Sequence, residues 1–134
     1  MSLYVDSSAL AKRYVDEPRR HEAELVLVGD PVWLTAMHTF VEVSLILGRR
    51  LNGEPLRVAR LAFKNDWARS LVIDLDQALC DRAAVLGGVA ATRALDALHL
   101  AAAERAGGRS IPIVTFDVRL ARAARSLGFA VIGS

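Results

Sequence analysis

Four carboxylates break apolar runs where a packed domain would place hydrocarbon. Asp6 ends Leu3-Tyr4-Val5, Glu42 interrupts Phe40-Val41-Val43, Asp96 lies inside Ala94-Leu95-Ala97-Leu98, and Asp117 follows Ile113-Val114-Thr115-Phe116. A buried carboxylate with no partner neutralises by shifting its pKa. Several that stay ionised on an apolar scaffold therefore need a cation among them. At ~5 Å and an effective dielectric near ~20, each pair would repel by about 3 kcal/mol, and a shared divalent ion removes that cost. Oxygen ligands alone suit a hard ion, Mg²⁺ or Mn²⁺.

Structural readings compete at each position. Asp6 before Ser7-Ser8 can cap a helix, and Asp117 can cap another. Asp96 near a helix start would gain roughly 0.3 to 1 kcal/mol from the macrodipole. Glu42 has no such role, because it lies well inside a helical stretch and shares its face with Thr39, Leu45 and Ile46. Its structural alternative is an ion pair with Arg49 or Arg13. Of the three histidines, His21 reads as solvated, His38 as a helix start, and His99, on the face of Asp96, as a packing residue. With Cys80 they are too scattered for a structural zinc site. Cys80, near Leu79 and Ala83 on an amphipathic helix, reads as a buried packing residue.

The elements that must position the acids alternate. Short β-rich runs occur at Leu3-Tyr4-Val5, Val32-Trp33-Leu34-Thr35, Leu71-Val72-Ile73, Ile113-Val114-Thr115 and Ala130-Val131-Ile132. Between them, helical periodicity spans Ser8 to Val15, Arg19 to Val28, His38 to Leu51, Pro55 to Ser70, Gln77 to Gly87, Ala94 to Ala106 and Val118 to Leu127. This alternation predicts an α/β fold, a parallel five-stranded sheet with helices on both faces, in one domain over 1–134. Right-handed crossovers put the strand-to-helix turns along one edge of that sheet. Asp6 and Asp117 then stand at strand ends, Glu42 one turn into the second strand's helix, and Asp96 in the first turn of a helix. All four can face one crevice.

Hydrophobic residues make up 53% of the chain, but no apolar run approaches the roughly 20 residues that cross a bilayer. No basic segment leading into an apolar one opens the sequence, so the expected location is the cytoplasm, with no membrane partner. Net charge is +2, and of 17 basic residues only Lys12 and Lys64 are lysines. Arginine's planar fork suits bidentate phosphate contacts. Arg119, Arg122 and Arg125 recur at helical spacing, and Arg49, Arg50, Arg57 and Arg60 gather near a helix-to-helix turn; both clusters also read as ordinary solvated faces.

Laid out in this way, the chain resembles the PIN-domain ribonucleases, specifically the VapC toxins of toxin–antitoxin pairs. Tyr4-Val5-Asp6-Ser7-Ser8-Ala9-Leu10 looks like the first motif of that family, and Phe40-Val41-Glu42-Val43 resembles its glutamate segment. Leu95-Asp96-Ala97-Leu98-His99-Leu100-Ala101 is the most specific stretch, and Val114-Thr115-Phe116-Asp117 with Leu120 resembles the last motif. The resemblance implies an Mg-dependent endoribonuclease that cleaves RNA phosphodiesters by metal-activated water. It implies Asp6, Glu42, Asp96 and Asp117 as catalytic residues and metal ligands, with Ser8 and Thr115 in support. It also implies a cognate VapB-like antitoxin and a homodimer, for which Trp33, Phe63 and Trp67 are candidate exposed interface residues, with core packing the stronger reading for Trp33.

Rival classes fit less well. A receiver-like domain would carry paired acids after the first strand and a late lysine, and a dehalogenase-type phosphatase would carry Asp at position 8, which is Ser8. A non-catalytic nucleic-acid or protein binding module on the same fold is the remaining alternative.

Overall fold

The computed structural model describes residues 2–30 and 32–134. Its strands are β1 (Ser2–Val5), β2 (Val32–Ala36), β3 (Leu71–Ile73), β4 (Ile113–Thr115) and β5 (Val131–Gly133). Its helices are α1 (Ser7–Ala11), α2 (Arg20–Val28), α3 (Met37–Arg50), α4 (Gly53–Arg69), α5 (Gln77–Ala90), α6 (Ala94–Gly107) and α7 (Val118–Ser126), with a 3₁₀ turn at Gly108–Ser110. All neighbouring strands pair in parallel in the order β3-β2-β1-β4-β5. The chain thus builds outward from β1 through β2 to β3, then returns to lay β4 on the other side of β1. A crevice opens where strand order reverses, beyond the carboxyl ends of β1 and β4.

Alternation along each strand divides the core into two layers. Leu3 and Val5 point into a cluster with Leu10, Leu27, Val43, Leu47, Phe63 and Val114. Tyr4, between them, points the other way and packs with Leu34, Leu79, Leu86, Leu100, Ile113, Leu120 and Phe129. Helices α5 and α6 pair closely in the second layer: a Cβ on Gly87 would come within 2.8 Å of the Ala97 Cβ, so only glycine permits that approach. On β5, Gly133 has φ +117° and lies against the Thr115 carbonyl, with no room for a Cβ between them.

The expected elements appear with small shifts at their ends. The largest change is α1, which stops at Ala11 instead of Val15. Beyond it the backbone tightens into three-residue turns, Arg13 N–H to Leu10 O and Tyr14 N–H to Ala11 O. Arg13 and Tyr14 both reach across to Asp66 on α4, which directs the chain away from the helix axis. Two expectations about burial are corrected. Cys80 is exposed, because it falls on the solvent side of α5 while Leu79 and Ala83 face inward. Phe63 is buried, stacked on Phe40 and edge-on to Tyr14 and Trp67, and Trp33 and Trp67 are half-buried against the same core. No single helix among the described residues is long and apolar enough to cross a membrane.

Candidate active site

The crevice at the strand-order reversal contains a cavity of about 310 Å³ whose walls include Asp6, Glu42, Asp96 and Asp117. The four acids come from four separate segments: the end of β1, the second turn of α3, the first turn of α6 and the start of α7.

Asp6 is 2% exposed. Its Oδ1 accepts the Ala9 amide at 2.9 Å and its Oδ2 accepts the Thr115 hydroxyl, while the Ser8 hydroxyl reaches both oxygens at 2.7 and 2.9 Å. Ser8 in turn accepts the Phe116 amide at 2.9 Å, and Thr115 accepts the Asp117 amide at 3.1 Å. Ser8 and Thr115 therefore stitch the ends of β1 and β4 together around Asp6. Burial pushes the Asp6 carboxyl above its ordinary range, and His99 and these donors offset only part of that. A nearby divalent cation would supply what is missing.

Asp117 shows how a cap and a site coexist. Its Oδ1 accepts the Arg119 and Leu120 amides at 2.8 and 3.2 Å, capping α7. Its Oδ2 turns toward the cavity, 3.5 Å from Arg93 Nη2. The same Arg93 nitrogen lies 3.4 Å from Asp96 Oδ2, so one guanidinium leans loosely on two acids. Arg93 is well exposed, and the long contacts leave it free to swing away.

Among the described residues Glu42 pairs with no arginine, which removes the structural alternative of an ion pair with Arg13 or Arg49; Arg13 is held by Asp66 instead. Its Oε1 lies 2.8 Å from His99 Nε2, and His99 Nδ1 lies 2.8 Å from the hydroxyl of fully buried Tyr4. Burial, then the charges of Asp6 and Glu42, hold the Tyr4 phenol well above its ordinary pKa. The phenol therefore stays protonated, and the His99 ring is held between it and the Glu42 carboxylate. Burial alone would raise Glu42, but the His99 bond and the nearby histidines outweigh it and leave the carboxyl below its ordinary range. The His38 ring lies tilted against that of His99, centroids 4.2 Å apart, and donates toward the Leu95 carbonyl at 3.3 Å. Burial, and then His99, press its pKa down to about 4.

Two of the histidines are thus not scattered. Among the described residues, the set of three metal-capable side chains whose ligand atoms all lie within 4.8 Å of one another is His38, Glu42 and His99. The four acids line the cavity at wider spacing. An all-oxygen donor set that wide would suit a hard divalent ion that keeps several of its own waters. His99 has both nitrogens engaged and His21 is exposed, as expected.

Sequence reasoning missed Arg93, Tyr4 and His38. Arg93 stands three residues before Asp96, a spacing that shares a helical face. Tyr4 shares a strand face with Asp6 by alternation. Both signals were present but not distinctive.

The PIN domain family profile matches residues 3–126. The chain is 30% identical over 136 residues to ribonuclease VapC47 of Mycobacterium tuberculosis (strain CDC 1551 / Oshkosh), covering 95% of this chain and 93% of that protein. It is 31% identical to ribonuclease VapC46 of M. tuberculosis (strain H37Rv), covering 98% and 96%. In fold it resembles M. tuberculosis VapC20, described as a sarcin–ricin-loop-cleaving toxin, with a TM-score of 0.75 at 20% identity, covering 98% and 99%. FitAcB of Neisseria gonorrhoeae also scores 0.75, at 17% identity, covering 99% and 97%. The chain belongs to the PIN-domain family, in its VapC ribonuclease branch.

Proposed function

We propose that this chain is a divalent-metal-dependent endoribonuclease and the toxin of a toxin–antitoxin pair. The observation that carries this reading is the convergence of Asp6, Glu42, Asp96 and Asp117 on one cavity with a single, loosely placed arginine as local counter-charge. Asp6, Asp96 and Asp117 would hold the ion, Mg²⁺ or Mn²⁺, with Glu42 as a further ligand. When bound, such an ion polarises the phosphoryl group and makes water a stronger nucleophile.

The chain's own residues do the rest. Ser8 and Thr115 fix Asp6 so that its carboxylate does not turn away when substrate enters. Tyr4 and His99 hold Glu42 by Oε1, which leaves Oε2 to take the proton of the attacking water. The water oxygen bonds to phosphorus as the phosphorus–oxygen bond to one ribose breaks, and that ribose oxygen leaves as a hydroxyl with a proton from solvent, with no covalent enzyme intermediate.

The partners follow from the same reading: RNA as substrate and a VapB-like antitoxin that covers the cavity, with action in the cytoplasm. A homodimer is supported by the exposed apolar side chains on α3 and α4, among them Phe40, Val41, Leu45, Val58 and Leu61. The test is cleavage of RNA with Mg²⁺ by Asp6→Asn and Asp96→Asn, each expected to fall about 10³-fold. Retained cleavage in both ends the proposal.

A further inference from the structure

Arginines account for all but two of the basic residues, and most are already used. Arg13 and Arg69 pair with Asp66, Arg19 with Glu22, Arg20 with Glu24, Arg50 with Glu17 and Arg57 with Glu54. Arg82 and Arg109 share Glu104, and Arg105 pairs with Asp76. Arg125 donates to the Ser134 carbonyl. Arg119 and Arg122 make no carboxylate pair among the described residues, and both line a groove of about 560 Å³ on α7. Arg49 and Arg60, also without such a pair, line neither this groove nor the acid cavity.

The groove and the acid cavity share two residues, Arg93 and Asp96. One continuous surface therefore runs from four carboxylates to three guanidinium groups, with Arg93 at the junction. Arg93 rests on two acids at 3.4 and 3.5 Å, so a cation on those acids would release it toward the groove. Arg119 and Arg122, three apart on α7, have Cβ atoms about 5–6 Å apart, so neighbouring groups on one strand can meet both. Val89, Ala90 and Ala91 give the opposite wall an apolar surface on which a base can lie.

We propose that the groove of Arg93, Arg119 and Arg122 is the track that holds the phosphates of the RNA strand next to the bond being cut. This rests on the nuclease reading above and deepens it. The acid cavity by itself repels a polyanion, so the strand needs attraction from an adjacent site, and unpaired guanidinium groups continuous with the cavity supply it.

The test uses the full chain carrying Asp6→Asn, so that RNA is bound and not consumed, and a short fluorescein-labelled oligouridylate as probe. Fluorescence anisotropy across a salt series is read with and without Arg119→Ala and Arg122→Ala. The pair of changes is expected to weaken binding roughly tenfold and to flatten the slope of log K against log salt by about 1.4, two single-strand phosphate contacts. Arg119→Lys with Arg122→Lys should restore most of the slope, and Arg57→Ala, remote and paired with Glu54, should change nothing. Unaltered affinity and slope in the double alanine variant overturn the track while leaving the nuclease reading intact. Unaltered RNA binding with lost capture of a co-expressed antitoxin makes the groove a protein-docking surface and also overturns it. No RNA binding and no RNA cleavage by the unmutated chain overturn both.

Discussion

Two carboxylate-lined cavities of similar size occupy different parts of the molecule, about 260 Å³ beside Asp66 and about 310 Å³ beside Asp6. At Asp66 the charge is fully answered from within: Arg13 Nε and the Tyr14 hydroxyl each donate to Oδ2 at 2.7 Å, and Arg69 Nη2 donates to Oδ1 at 2.7 Å. At the other cavity four acids face one arginine at 3.4 and 3.5 Å. Volume does not distinguish a structural cavity from a reactive one here. The balance of charge does: Asp66 is a closed ion cluster pinning α1 and its exit to α4, whereas the acid quartet has one long-range arginine among four carboxylates, the imbalance on which the proposed metal site rests.

This contrast can be broken by experiment, most forcefully with metal. Adding Mg²⁺ should stabilise the protein by about 2.7 kcal/mol at a hundred times the dissociation constant. The gain should vanish in Asp96→Asn and persist in Asp66→Asn, read as Tm shifts. No shift in the unmutated chain would remove the distinction. Next in size, Asp66→Asn should cost about 2 kcal/mol in urea unfolding, the typical worth of a charged hydrogen bond. Asp6→Asn, in chelator, should cost less, since it removes a charge that burial opposes. Smaller still, Tyr4→Phe should cost about 1 kcal/mol and lower kcat by freeing the His99 ring, while the Mg²⁺ stabilisation stays.

Acid titration supplies the finest comparison, in sign. Burial would raise Asp66, but its arginine and tyrosine bonds outweigh that and leave its pKa depressed. Its contribution is present above the unfolded value, ~3.9, and is lost as pH falls through the folded one. Asp6 is raised by burial, so in metal-free protein its contribution is present below the unfolded value and is lost as pH rises through the folded one. Stability measured in chelator against pH should therefore lose its acid-side rise in Asp6→Asn and its acid-side fall in Asp66→Asn.

Much of this was legible in the sequence because strand ends and helix starts are local. The short β-rich runs Leu3-Tyr4-Val5 and Ile113-Val114-Thr115 marked two strands, and the crossover rule then aimed Asp6 and Asp117 at one edge. The capping and site readings of these two acids were posed as rivals, yet a carboxylate has two oxygens, and Asp117 caps α7 with one while the other stays turned toward the cavity. What stayed hidden was pairing over long sequence separation. His99 meets Glu42 across 57 positions and Tyr4 across 95, and no periodicity encodes such a meeting. Cys80 and Phe63 were misjudged because a small rotation of a helix exchanges its inner and outer faces.

Gly133 gives the last strand a hold on the reaction that its place in the chain conceals. Any side chain there would collide with the Thr115 carbonyl, and Thr115 is the residue that steadies Asp6. Replacing it with alanine would pry β5 from β4 and slacken the hydroxyl's grip from behind. A mutational survey scored only by RNA turnover would then rank position 133 beside the acids themselves, although Gly133 is not among the residues lining their cavity.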